Sequence, residues 1–166
     1  MSWDLQPARE DRLTLRCTVN GEAVEREVAT TMRLLHFLRE ELGLTGAKEV
    51  CGEGECGACN VLLDGRLVNA CLVLAVEAEG AAITTVEGLA GHPVQAAMAA
   101  THAVQCGYCF PGLVVSAADL IAKTERLDRA RLKAGLAGNL CRCTGYAKIL
   151  DAVALAADTA GKGTDA

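Results

Sequence analysis

Cysteine spacing constrains this chain more than any other feature. Cys51, Cys56 and Cys59 read C-x4-C-x2-C, and Cys71 follows. That is the plant-type [2Fe–2S] arrangement, in which thiolates ligate iron. Zinc sites more often use C-x2-C pairs separated by a longer loop. Glycines stand beside or between the cysteines of the loop Cys51-Gly52-Glu53-Gly54-Glu55-Cys56-Gly57-Ala58-Cys59. Glycine accepts φ > 0 and so lets backbone N–H groups turn inward. Inward N–H groups stabilise the negative charge of a thiolate-held cluster and tune its potential. Small Ala58 leaves room beside it.

The fourth cysteine has a geometric reason to be where it is. Val61-Leu62-Leu63 and Arg66-Leu67-Val68 flank Asp64-Gly65, a strong two-residue hairpin signal. The chain therefore leaves Cys59, reverses, and brings Cys71 back to the same place. The loop also spells G-x-G-x-x-G at Gly52, Gly54 and Gly57. A dinucleotide fingerprint needs a strand before it and a helix after it. Here a hairpin follows, and Glu53 and Glu55 would repel a pyrophosphate.

A second group comprises Cys106 and Cys109, a C-x2-C, and Cys141 and Cys143, a C-x-C. Each pair leads into a predicted helix. Pro111-Gly112 opens an apolar run to about Lys123, with proline in the first turn. Thr144 is the expected cap of a helix running from Gly145 to about Asp158. Two helix N-termini offer free N–H groups and positive dipole ends to an anionic site. Spacing alone leaves this group open between a four-cysteine zinc site and an iron–sulfur site. A thioredoxin-like dithiol at Cys106 and Cys109 lacks the surrounding βαβ pattern. Cys17 shares an alternating apolar face with Leu13, Leu15 and Val19 and reads as a small core residue.

Nine cysteines is an odd number, and the start of the chain, Met1-Ser2-Trp3-Asp4, has no apolar signal-peptide core. Ligation in the cytoplasm is therefore the better reading than a disulfide framework. Hydrophobic residues make up 51% of the 166 residues and charged residues 22%, enough for a packed core. A net charge of −5 and 3% aromatics argue against nucleic-acid binding and against an anionic membrane surface. The longest apolar run, Leu67 to Val76, is too short to span a bilayer.

Residues 12–19 alternate as a strand, Asn20-Gly21 turns, and Glu22 to Val28 returns. Thr30 or Thr31 is placed to cap a helix from about Met32 to Leu42, with Leu35, Leu38 and Leu42 on one face. After the cysteine loop and its hairpin, Ile83 to Val86 reads as a last strand. Beyond Gly88, Gly91 and Pro93 the strand pattern ends. Helices are expected at about 93–102, 111–124, 128–137 and 145–159, with Asp128 capping the third. His36, His92 and His102 are scattered and read as surface or packing residues. The expected fold is α+β: a β-grasp, plant-type ferredoxin-like domain over 12–88, then a four-helix bundle over 89–160. Residues 1–11 form an N-terminal extension and 161–166 a flexible tail.

Several segments resemble the small iron–sulfur subunit of molybdenum hydroxylases, the group of xanthine dehydrogenase, carbon monoxide dehydrogenase and hydroxybenzoyl-CoA reductase. They are Thr45-Gly46-Ala47-Lys48, the loop Cys51 to Cys59, and Asp64-Gly65 with Cys71. In the second half they are Gln105-Cys106-Gly107-Tyr108-Cys109 with Pro111-Gly112, and Gly138-Asn139-Leu140-Cys141-Arg142-Cys143-Thr144-Gly145-Tyr146. The likeness implies two [2Fe–2S] clusters, and so iron rather than zinc in the second group. It implies that the second cluster lies nearer a molybdenum–pterin cofactor and the first nearer FAD, both in partner subunits, and that Gln105 reaches the pterin. It implies a large molybdenum subunit and a medium FAD subunit, assembled as a dimer of heterotrimers. The implied function is the passage of single electrons from the molybdenum centre to FAD or another acceptor, with no catalytic residue in this chain. A purine or another N-heterocycle is the implied substrate. A free-standing ferredoxin-like carrier and a structural zinc module are the alternatives. Asn60 and Phe110 depart from the family pattern, which often has Thr at both places.

Overall fold

The computed structural model describes residues 11–161. The extension and tail expected at the two ends lie outside the described residues, apart from Asp11 and Gly161. Strand β1 (Arg12–Val19) pairs antiparallel with β2 (Glu22–Ala29). The turn between them has φ of 52° at Asn20 and 87° at Gly21, the primed geometry that Asn-Gly favours. A second hairpin joins β3 (Asn60–Leu63) to β4 (Arg66–Asn69) through Asp64-Gly65. Strand β5 (Ala82–Thr84) lies between the hairpins, parallel to β1 and antiparallel to β3, giving the order β2-β1-β5-β3-β4. It ends earlier than the sequence suggests. The Thr85 N–H donates to Asn20 Oδ1 at 2.9 Å instead of continuing the ladder, and Val86–Leu89 winds into a 3-10 turn.

The helix expected from Met32 to Leu42 is shorter and irregular. Helix α1 (Leu34–His36) runs into a π-helical turn, Phe37–Glu41. The reason lies in its backbone donors. Leu34 N–H donates to Val73 O at 2.8 Å and Leu35 N–H to Ala70 O at 3.0 Å, so the first turn is satisfied by a neighbouring segment. Neither Thr30 nor Thr31 caps it; Arg33 holds the N-cap position without a side-chain bond. Leu34, Leu35, Phe37 and Leu38 are fully buried against Leu15, Val28, Val61 and Ile83. Cys17 is buried in this core as expected, whereas Leu13, at the start of β1, is exposed.

Four further helices follow: α2 (Pro93–Ala100), α3 (Phe110–Lys123), α4 (Arg129–Gly135) and α5 (Ala147–Thr159). They enclose a second core built on Met98, Leu113, Leu127, Leu132, Ile149 and Val153. Asp128 caps α4 as expected, its Oδ1 accepting the Arg131 N–H at 2.7 Å. His92 caps α2 through Nδ1, which accepts the Val94 N–H at 3.3 Å, a role its sequence context did not suggest. Thr144 does not cap α5. The N-cap position belongs to Tyr146, at φ +70°. Among the described residues, all strands precede residue 85 and the four longer helices follow residue 92, so the class is α+β. No helix among the described residues is long and apolar enough to cross a membrane.

The two cores meet where α3 packs on β3. Asn69 Nδ2 donates to Asn60 Oδ1 at 2.8 Å, and Asn60 Nδ2 donates to Ser116 Oγ at 2.8 Å. Ser116 Oγ in turn donates to Gly112 O at 2.9 Å. Asn60 and Ser116 are both buried. A buried polar network is worth keeping only when complete. Asn60→Ala leaves the Asn69 amide without its acceptor and removes the bridge to α3. It is expected to cost about 1–3 kcal/mol, read as a lower thermal midpoint.

Candidate metal centres

The first four cysteines converge as the hairpin requires. Cys59 immediately precedes β3 and Cys71 lies just beyond β4. The register Asn60↔Asn69 closes the open end of the hairpin, and Ala70 N–H donates to Cys59 O at 3.3 Å. The Cys59 thiol then meets Cys71, with Cys56 close by. Cys56, Cys59 and Cys71 are buried, and Cys51 stands at the rim.

The expected cradle of amides is present. N–H groups of Glu53, Cys56 and Glu55 donate to the Cys51 sulfur and pull its pKa down to about 6. Burial pushes the Cys59 thiol up to about 12, and the Cys71 and Cys56 thiols add to the rise. An iron–sulfur cluster held here would need Cys59 as thiolate, so its binding would release the proton that burial retains on that residue. The loop is anchored from outside. Arg33 Nη1 donates to Gly52 O at 2.9 Å, and Lys48 N–H donates to Ala58 O at 3.0 Å. Glu87 Oε1 accepts the Gly46 N–H at 2.8 Å.

The second group gathers at the starts of α3 and α5. Cys109 is the residue before α3. Cys106 Sγ and Cys143 Sγ are 3.4 Å apart, and the Cys109 thiol meets Cys141. Burial first, then Cys141 and Cys106, push Cys109 up to about 12. Main-chain donors face these sulfurs as well: Tyr108 N–H at Cys106, and Cys143 and Thr144 N–H at Cys141. Cys106 and Cys143 are exposed, while Cys109 and Cys141 are half-buried.

The donor chemistry fits iron–sulfur clusters. The sulfurs of the second site meet two by two, as a binuclear cluster with two thiolates per iron requires.

The two sites abut. Leu140 N–H donates to Cys56 O at 2.9 Å, so one hydrogen bond joins a first-site cysteine to the residue preceding Cys141. Asn139 Nδ2 donates to Gly57 O at 3.4 Å, and the Tyr108 hydroxyl donates to Glu49 O at 3.1 Å. Gly57 has φ +67°, and a Cβ there would collide with Gly138 O and the Asn139 amide. A Cβ on Gly112 would fall inside the Gly57 carbonyl and press on the Ala58 backbone. Only glycine at both places permits this approach. Gln105 is exposed beside Cys106.

Some neighbours of the sites were not legible as such. The Thr144 hydroxyl donates to Cys141 Sγ at 3.1 Å. The Tyr146 hydroxyl accepts Cys141 N–H at 2.7 Å and donates to Asn139 O at 3.2 Å. Their presence in the segment Cys141 to Tyr146 was visible in sequence, but not what they touch.

Known proteins share both halves of the chain. Residues 17–90 match the 2Fe-2S iron-sulfur cluster binding domain, and residues 85–154 match a [2Fe-2S] binding domain. The chain is 44% identical over 150 residues to the xanthine dehydrogenase iron-sulfur-binding subunit of Escherichia coli O157:H7, covering 86% of this chain and 93% of that one. It is 43% identical over 152 residues to the nicotinate dehydrogenase small FeS subunit of Eubacterium barkeri, covering 89% and 97%. Among solved structures it superposes on quinoline 2-oxidoreductase from Pseudomonas putida 86 with a TM-score of 0.86 and 39% identity. That match covers 92% of this chain and 98% of the other.

Proposed function

The chain belongs to the family of iron–sulfur subunits of molybdenum hydroxylases, and on that premise we propose how its residues divide the work. It is the electron-transfer subunit of a xanthine dehydrogenase-like oxidoreductase; it holds two [2Fe–2S] clusters, and substrate is oxidised in a partner subunit. We assign Cys51, Cys56, Cys59 and Cys71 to the first cluster and Cys106, Cys109, Cys141 and Cys143 to the second. The pairing of their sulfurs supports that division. Bound there, the clusters would supply one-electron redox chemistry, through which a two-electron oxidation could leave as single electrons.

The protein's part is to fix positions and environments. Amides of Glu53, Glu55 and Cys56 stabilise negative charge on the first site's sulfur. Burial of Cys56, Cys59 and Cys71 excludes water from most of that site. Gly57, Gly112 and the Leu140–Cys56 hydrogen bond hold the sites in direct contact. Steady separation matters because electron tunnelling falls steeply with distance. The first site lies in a β-grasp domain over 12–88 and the second in a four-helix bundle over 89–160.

We assign exposed Gln105, beside Cys106, to the pterin of the partner's molybdenum cofactor, and with it the second cluster to the molybdenum side. The first then faces FAD, in a medium subunit. Val50, Leu72, Val104, Tyr108 and Leu140 are exposed near the cysteines, and an apolar rim of this kind is what a partner subunit covers. The assembly is a cytoplasmic dimer of heterotrimers. Its substrate is a purine or another N-heterocycle, a reading supported by relatives named for xanthine, nicotinate and quinoline.

The observation that carries the reading is the abutment of two thiol sites through the Leu140–Cys56 hydrogen bond. Affinity purification of the tagged chain from its own cells tests it. Molybdenum and flavin are expected to co-elute in fixed ratio to iron. Recovery of a red-brown protein with iron and no molybdenum would favour a free-standing carrier.

A further inference from the structure

We propose that Thr144 sets the reduction potential of the second cluster by donating its hydroxyl hydrogen to the sulfur of Cys141. This rests on the assignment of Cys141 as a ligand. The Thr144 Oγ1 lies 3.1 Å from Cys141 Sγ. The same oxygen accepts the Tyr146 N–H at 3.3 Å, which leaves its own hydrogen to point at sulfur.

The surrounding loop aims this hydroxyl. Tyr146 sits at φ +70°, a region that a tyrosine rarely adopts. It is held there at both ends of its side chain and backbone. Its hydroxyl bridges the Cys141 N–H and the Asn139 carbonyl, and its N–H anchors Thr144. Backbone strain of this kind persists where surrounding contacts over-determine it, often beside functional groups. The sequence suggested Thr144 as a helix cap, yet its hydroxyl faces a cysteine sulfur instead.

Reduction adds negative charge to a thiolate-held cluster. A hydrogen-bond donor on a ligand sulfur therefore stabilises the reduced form more than the oxidised one, and raises the potential. The first site's Cys51 sulfur faces main-chain N–H groups, which no side-chain substitution removes. Thr144 is a side-chain handle on the other site. Substitution there shifts one potential and leaves the other in place.

The test is potentiometry of the intact complex, followed by electron paramagnetic resonance. Thr144→Val keeps the shape of the side chain and removes the hydroxyl. At the wild-type midpoint of the second cluster, its reduced-to-oxidised ratio is expected to fall several-fold, up to about tenfold, which is ~59 mV for a one-electron couple. Thr144→Ser retains the donor and is expected to keep the wild-type midpoint. The first cluster's midpoint stays put in both. An unchanged midpoint in Thr144→Val, with both signals present, would overturn the proposal. So would equal shifts in the Val and Ser variants, which would assign the effect to packing. If the Val variant loses the second signal altogether, Thr144→Ser decides: a wild-type midpoint supports the proposal and a lowered one contradicts it. Cys141→Ser separates the two assignments. Persistence of both signals there removes Cys141 as a ligand. Loss of one signal there, with an unmoved Thr144→Val midpoint, removes only the role of Thr144.

Discussion

Cys106→Ser is expected to remove one of two distinguishable paramagnetic signals from the reduced complex and to stop turnover with the physiological acceptor. The hydroxyl of serine ionises far less readily than a thiol, and thiolate is the ligand that iron–sulfur clusters use. Cys106 lies 3.4 Å from Cys143 Sγ, so its loss opens one corner of the site on an exposed face. The fall in turnover is expected to exceed the ~10–100-fold typical of changes to groups that merely support a ligand. The signal of the first cluster is expected to remain, because Cys59 and Cys71, proposed to hold it, are buried in the N-terminal core, away from Cys106. Survival of both signals at full intensity would show that Cys106 holds no iron.

Gly112→Ala tests how closely the two sites are pressed together. In an ordinary helix the change would stabilise by about 1 kcal/mol. In α3 the new Cβ would meet the carbonyl of Gly57 and the backbone of Ala58, and neither is the far end of a flexible side chain. Overpacking of a tight contact costs about 1–3 kcal/mol, occasionally more. The clash therefore outweighs the propensity gain, and the thermal midpoint of the complex is expected to fall. Displacing Gly57 also moves the loop between Cys56 and Cys59, so weaker retention of first-site iron on dilution is expected alongside. A variant as stable as wild type, with full iron, would mean that the loop yields freely and does not set the separation.

Much of this was legible in the cysteine spacing and the turns. Asn20-Gly21 and Asp64-Gly65 both adopt left-handed backbone at each residue, and the second turn does return Cys71 to Cys59. The α+β class followed from the change of period near Gly88. Local signals failed where a distant segment competes for the backbone. Helix α1 is cut short because Ala70 and Val73 accept the N–H groups of Leu35 and Leu34. Strand β5 stops because an Asn20 side chain takes the Thr85 N–H. Thr144 looked like a cap because threonine before a helix usually is one. Its hydroxyl turned out to face Cys141, a contact that depends on how Tyr146 folds back. The polar chain from Asn69 through Asn60 to Ser116 was equally invisible, since it joins residues far apart in sequence.

Iron and acid-labile sulfide, counted per polypeptide in complex purified without oxygen, test the central claim most directly. Two binuclear clusters require about four irons and four sulfides. A count near two irons, or zinc in place of iron at either set of cysteines, would contradict it.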